Sequence, residues 1–396
     1  MRLLSPQRLI MLVFFLQPVA FGSWLPRIPE VQASLGMGPA ALALALLGMP
    51  LGTLLTLPFA GPLVGRIGAR TTIMVGFIYY AIAVSLPAFS TDPIVLFIAL
   101  MLAGSAISFL ELGLNVGADA IEKSTGSLIM TKSHGFWSIG IMVGSLVGSG
   151  MAGLGIAPQW AIAAIALVTL PMGIAAGGAL PRMERETPGA DASERSAWSL
   201  PSPALIGVCL FVFGITMTEG AMADWSAIFL RDALSAEGGI VGLGYSVFAF
   251  MVAAGRFSGD SLKARLGAVG TARLCGALAV FGAVLLYVAP NITLALIGFG
   301  TIGFGVSVGF PLAVTAAAGI GDRAASANVA VLSFVALTGF LIGPPMIGFV
   351  AEHSSIRIGI ACVIPFLLLS LALAVRLKPK PISTKHNPEA DIAGVL

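Results

Sequence analysis

Charge is scarce in this 396-residue chain: Asp, Glu, Lys and Arg together make up 10% of it. An ordinary soluble domain carries roughly 25%. So little charge cannot cover a 40.4 kDa globule, which excludes a large soluble enzyme. A disordered chain is excluded as well, because it needs low hydrophobicity and high net charge. Cysteine is almost missing. Cys209, Cys275 and Cys362 each lie inside an apolar run, and no Cys-x-x-Cys occurs, which argues against a disulfide framework and a zinc site. Histidine is nearly as rare, at His134, His353 and His386. No Ser–His pairing and no metalloprotease motif can be drawn from three such positions, so neither catalysis, a metal nor a cofactor is expected. The small basic excess of +3 fits membrane topology better than nucleic-acid binding.

What is abundant is apolar sequence, 57% of the chain, with a mean hydropathy of +0.99. The apolar runs are continuous, so the alternating pattern of a membrane β-barrel is absent. A spanning helix needs about 20 apolar residues, and with its loop roughly 30–35. The chain predicts an all-α membrane protein of twelve transmembrane helices, with cores near 9–29, 39–63, 71–90, 93–118, 135–157, 159–181, 203–230, 240–262, 271–289, 292–318, 326–350 and 356–377. The first of these reads as an uncleaved span, not a signal peptide, because so many spans follow it. The polar stretch at 182–202 divides the chain six plus six. This predicts helical bundles at 1–181 and 203–377, a cytoplasmic central loop between them, and a disordered cytoplasmic tail at 378–396.

Orientation follows from the basic residues. With the N-terminus inside, 17 of the 21 Lys and Arg fall on cytoplasmic segments, among them Arg182, Arg185, Arg195, Arg323, Lys380 and Lys385. Arg27, Arg231 and Arg357 fall outside and Arg256 lies within span 8. This asymmetry predicts both termini in the cytoplasm of a bacterial-type inner membrane. Trp24, Trp160 and Trp225 fall near external ends, as an interfacial belt would place them. The halves also repeat each other. Trp24 and Trp225 end spans 1 and 7, and Arg66-Ile67-Gly68-Ala69 after span 2 matches Arg265-Leu266-Gly267-Ala268 after span 8. Internal repeats of this kind place a binding site between the halves near the midplane.

Six plus six spans, a long central loop and basic 2–3 and 8–9 loops resemble the major facilitator superfamily. Gly61, Leu63, Arg66, Gly68 and Arg70 follow the family's loop pattern, while Gly65 stands where the family carries Asp. Leu110-Glu111-Leu112-Gly113-Leu114-Asn115, His134-Gly135-Phe136-Trp137-Ser138, Glu219-Gly220-Ala221-Met222-Ala223-Asp224-Trp225, Gly255-Arg256-Phe257-Ser258-Gly259-Asp260 and Gly343-Pro344-Pro345 resemble bacterial members grouped with fucose permease. The resemblance implies two pseudo-symmetric six-helix bundles that work by alternating access as a monomer. It also implies a small-molecule solute moved with protons, and a proton-coupling role for Glu111 followed by Asn115.

The polar residues inside the bilayer form the list of candidates, because an intramembrane charge is costly unless it is paired, hydrated or neutralised. Glu111, Asn115, Asp119 and Glu122 share one face of span 4, within an arc of about 80°. Glu111 and Glu219 are the candidate proton-coupling groups. Asn115, Gln17 beside Pro18, Trp137 and His134 are the candidate solute contacts. Asp119 and Glu122 are expected to pair with Arg66, Arg70 or Lys123 at the loop end. Arg256 and Asp260 stand at i,i+4 and are expected to pair, forming with Arg66, Arg70 and Arg265 a gate on the cytoplasmic side. Asp224 with Arg27 or Arg231 would form an outer gate. The glycines of span 10, from Gly298 to Gly309, predict close helix packing. The expected activity is proton-coupled uptake of a small polar organic solute such as a sugar or sugar derivative. The alternative is an efflux antiporter of drugs or metabolites. Superfamily antiporters usually carry a Gly-Pro-rich span 5, and here Gly144-Ser145-Leu146-Val147-Gly148 has no proline, which favours uptake.

Overall fold

A computed structural model describes residues 4–182, 201–322 and 325–378. The charges of the central loop beyond Arg182, the tail beyond Lys378, and Arg323 lie outside the described residues. The rest is helical, in eleven continuous apolar segments: Pro6–Ser34, Pro39–Ile67, Ala69–Phe89, Pro93–Thr125, Lys132–Gly153, Pro158–Ala179, Pro203–Leu234, Gly238–Val288, Ile292–Ala318, Ala327–His353 and Ile356–Leu377. The 51-residue segment Gly238–Val288 contains two spans, broken at Gly267. Counting it twice gives the twelve spans of two six-helix bundles, and spans 1–12 below are numbered in that order.

The helix boundaries follow from local chemistry. Asp92 caps span 4 by accepting from the amides of Ile94 and Val95 at 2.9 and 3.0 Å, with Pro93 in the first turn. Ser5, Ser202, Asn291 and Ser355 cap spans 1, 7, 10 and 12 through their side chains. Each supplies an acceptor to an amide that has no partner within its own helix. Spans 2 and 3 are joined across Gly68 at φ 83°, ψ 152°, and spans 8 and 9 across Gly267 at φ 70°, ψ 172°. That backbone region is essentially open to glycine alone. Both glycines sit in the repeated Arg-x-Gly-Ala sequence, so the internal repeat is a repeat of backbone geometry.

Small residues bring the helices of each half into backbone contact. Gly48 and Gly52 face the carbonyls of Phe97 and Met101, and Gly104 returns the contact to Met49, joining spans 2 and 4. Gly140 and Gly144 lie against the carbonyls of Phe15 and Val19, joining spans 5 and 1. The span 10 glycines pack as expected, Gly303 on the Phe248 carbonyl and Gly305 on that of Cys275.

The two halves meet on the face away from the termini. There Ser145 and Ser246 touch at 2.8 Å, Arg231 reaches the Pro29 carbonyl at 2.8 Å, and Glu352 reaches the Ala40 amide at 3.1 Å. Trp24 and Trp225 are buried in this seam, 2% and 0% exposed. This corrects their assignment to an interfacial belt: they end spans that are sealed against the opposite half, so lipid and water do not reach them. Trp160 is 63% exposed and edges onto Phe89 with ring centroids 5.8 Å apart. Towards the terminus face the last polar contact between the halves, among the described residues, is that of Arg256 with Ser138.

Candidate functional site

Span 8 carries Arg256 into the seam between the halves. Its Nη1 donates to Ser138 Oγ of span 5 at 2.8 Å, and its Nη2 stands 3.8 Å from Glu219 Oε1 of span 7. One guanidinium therefore touches both halves. Ser138 Oγ also donates to the His134 carbonyl at 3.1 Å, one turn back on its helix. His134 lies within electrostatic reach of Arg256, and Tyr245 within reach of Glu219, Asp224 and Arg256. The Phe14 ring of span 1 packs edge-on to His134 at 5.2 Å. The adjoining turn of span 5 carries Trp137, whose Nε1 donates to Gln17 Oε1 at 2.8 Å. Gln17 is only 1% exposed and immediately precedes Pro18, whose missing amide interrupts the ladder of span 1.

The structure thus gathers Gln17, Trp137, His134, Glu219 and Arg256 with Ser138 and Tyr245, while Asp224 stands near Tyr245. Ser138 and Tyr245 were missed in the sequence. Tyr245 is legible in retrospect: it lies 11 residues before Arg256, which returns a helix to within about 20° of the same face. Glu111 and Asn115 are half-buried on span 4. No hydrogen bond or ion pair joins either to this cluster among the described residues.

Two expected pairings are not formed. Arg256 does not pair with Asp260, which is exposed, as are Arg66 and Arg265. Arg70 donates to the Gly178 carbonyl in its own half. The expected pairing at this end is therefore not formed: the guanidinium turns instead to the half-buried carboxylate of Glu219, where attraction is less screened than at the surface. On the closed face Asp224 pairs with neither arginine. Arg27 is fully buried and binds Glu30 at 2.7 Å and the Ile156 carbonyl at 2.5 Å. Arg231 binds Asp232 at 2.5 Å and crosses the seam to Pro29 and to Gln32 Oε1, the latter at 2.7 Å. At the loop end Asp119 pairs with Lys123 at 2.6 Å, as expected. Glu122 takes a different partner and accepts from the amides of Ile129 and Met130, the first turn of span 5.

Comparison with known proteins places this architecture. A transporter of Yersinia pestis described as an uncharacterized MFS-type transporter is 30% identical over 376 residues, covering 94% of this chain and 96% of its own length. The uncharacterized transporter y4wD of Sinorhizobium fredii is 31% identical, covering 95% and 99%. Among solved structures, the fold is similar to that of the nucleoside transporter NupG, with a TM-score of 0.69 at 14% identity, covering 94% of this chain and 98% of NupG. It is equally similar to a bacterial homolog of the human lysosomal transporter Spinster in an inward-facing, unoccupied conformation, with a TM-score of 0.71 at 14% identity, covering 94% and 96%. Residues 10–334 match the sequence pattern of the Major Facilitator Superfamily, and with the twelve-span, two-bundle fold around a shared seam this chain belongs to that superfamily.

Proposed function

We propose that the chain is a proton-coupled secondary transporter that takes up a small polar organic solute, such as a sugar or sugar derivative, by alternating access. Arg256 carries this reading. A cation within the spanning helices touches the Glu219 carboxylate of its own half at 3.8 Å and the Ser138 hydroxyl of the other half at 2.8 Å. An ionised Glu219 draws the guanidinium to its own half. A proton on Glu219 removes that charge and leaves Arg256 to the cross-half bond. Proton occupancy and contact between the halves are thereby tied together. Glu111 supplies a second protonatable group in the opposite half, next to Asn115. Gln17, Trp137, His134 and Tyr245 offer amide, ring and hydroxyl groups suited to a hydroxylated solute. On this reading catalysis is absent and the transporter works as a monomer. Its halves are residues 1–181 and 203–377, and both termini face the cytoplasm, where the basic residues cluster.

The test begins with thermal stabilisation of the purified protein by a panel of sugars, sugar acids, amino sugars and nucleosides. The stabilising solute is then followed in proteoliposomes under a pH gradient. Glu111→Gln and Glu219→Gln are each expected to keep solute exchange and to lose accumulation against the gradient. Accumulation that survives in one assigns coupling to the other, and survival in both removes proton coupling from the reading.

A further inference from the structure

On the closed face, charged side chains of the second half bind backbone groups of the first. Arg231, near the end of span 7, reaches the Pro29 carbonyl and the Gln32 side chain. Glu352, near the end of span 11, accepts from the amide of Ala40. That amide belongs to the first turn of Pro39–Leu46, the opening helix of span 2. The N-cap of this helix is Gly38, at φ −69°, ψ 168°, which has no side chain to offer, and Pro39 has no amide. The cap therefore comes from 312 positions further along the chain. The carboxylate lies so close over Gly38 that a Cβ there would stand 2.8 Å from Glu352 Oε2.

A Ser, Thr, Asp or Asn at the N-cap would satisfy the Ala40 amide in every conformation. Glycine offers that amide no local side-chain acceptor, so its protein partner is Glu352, which reaches it only while the halves are together here, and water replaces it when they part. A helix N-terminus also favours a carboxylate through its partial positive charge. We propose that Glu352 and Arg231 are the latch of the closed face, with Glu352 acting as a helix cap delivered across the seam on closure and withdrawn on opening. The latch rests on the alternating-access reading above. Its chemistry suits release. Separating a buried ion pair strands a desolvated charge, whereas here Glu352 is exposed and Arg231 is partly exposed, so both can return to water when the face opens.

The experiment places spin labels at Ala33→Cys and Glu237→Cys, exposed positions of the two halves on this face, with Cys209, Cys275 and Cys362 replaced by alanine. Label distances are measured by electron spin resonance in lipid nanodiscs. Glu352→Ala and Arg231→Ala are each expected to raise the ratio of long to short distances about five-fold, the effect of losing one cap-sized contact. Gly38→Ser separates latch from scaffold, because it caps span 2 locally and displaces the far end of Glu352. Combined with Glu352→Ala it should recover the melting temperature while the distances stay long. Short distances retained in Glu352→Ala at an unchanged melting temperature would overturn the latch, and so would their recovery in the double variant. Failure of the underlying reading looks different: the chain without the latch substitutions would then show one fixed distance at every pH.

Discussion

Span 8 offers Arg256 two carboxylates, Asp260 one turn along its own helix and Glu219 on span 7. Helical spacing favours the local pair by only a few tenths of a kcal/mol, and Asp260 is solvent-exposed. Glu219 is half-buried, so its attraction is screened less, and it takes the guanidinium. The identity of these groups was legible because so few charges lie within the spans. Their pairing was not, since it depends on how span 7 sits against span 8. Asp260→Asn is therefore expected to leave stability within about 0.5 kcal/mol of the parent chain, measured by thermal unfolding in detergent. A buried amide makes the opposite case. Trp137→Phe removes the partner of Gln17 Oε1 and should cost about 1–3 kcal/mol, the penalty of a buried acceptor left unsatisfied. The same unfolding assay checks it, with Trp160→Phe, on the exposed surface, as the neutral control.

At the scale of elements, the 8–9 connection was expected as a loop and is a single non-helical residue, Gly267, inside an otherwise unbroken run. The repeat of Arg-x-Gly-Ala announced this position, but its backbone region is a tertiary outcome: it reverses the chain so that span 9 packs back against its own half. Gly68→Ala and Gly267→Ala are each expected to destabilise by about 1–3 kcal/mol. Gly65, helical and with open space around its Cα, should tolerate alanine and gain up to about 1 kcal/mol. Differential scanning of the three variants distinguishes conformational strain from crowding, because nothing stands within 4 Å of a Cβ at any of these glycines.

For the whole molecule, the prediction concerns sidedness. Leu128, between spans 4 and 5, and Leu154, between spans 5 and 6, are strongly exposed at opposite ends of span 5. With the basic residues inside, a cysteine at Leu154 should react with a membrane-impermeant maleimide in intact cells. A cysteine at Leu128 should react only after permeabilisation, and the reverse pattern would invert the topology. The number of spans, the six-plus-six division, the repeat and the short list of intramembrane polar residues were all determined by the sequence. Each follows from local quantities: runs of apolar residues, the placement of the few charges, and caps and glycines at the turns. The tertiary structure decided what lies across the seam. It buried Trp24 and Trp225 instead of leaving them at the lipid interface. It also turned Arg256 to Glu219 and Ser138, and supplied Gly38 with a cap from Glu352. These contacts join residues on separate helices, Arg256 and Glu219 within one half and the others more than a hundred positions apart across the seam, and they depend on which face each helix presents to its neighbours, which no local pattern records.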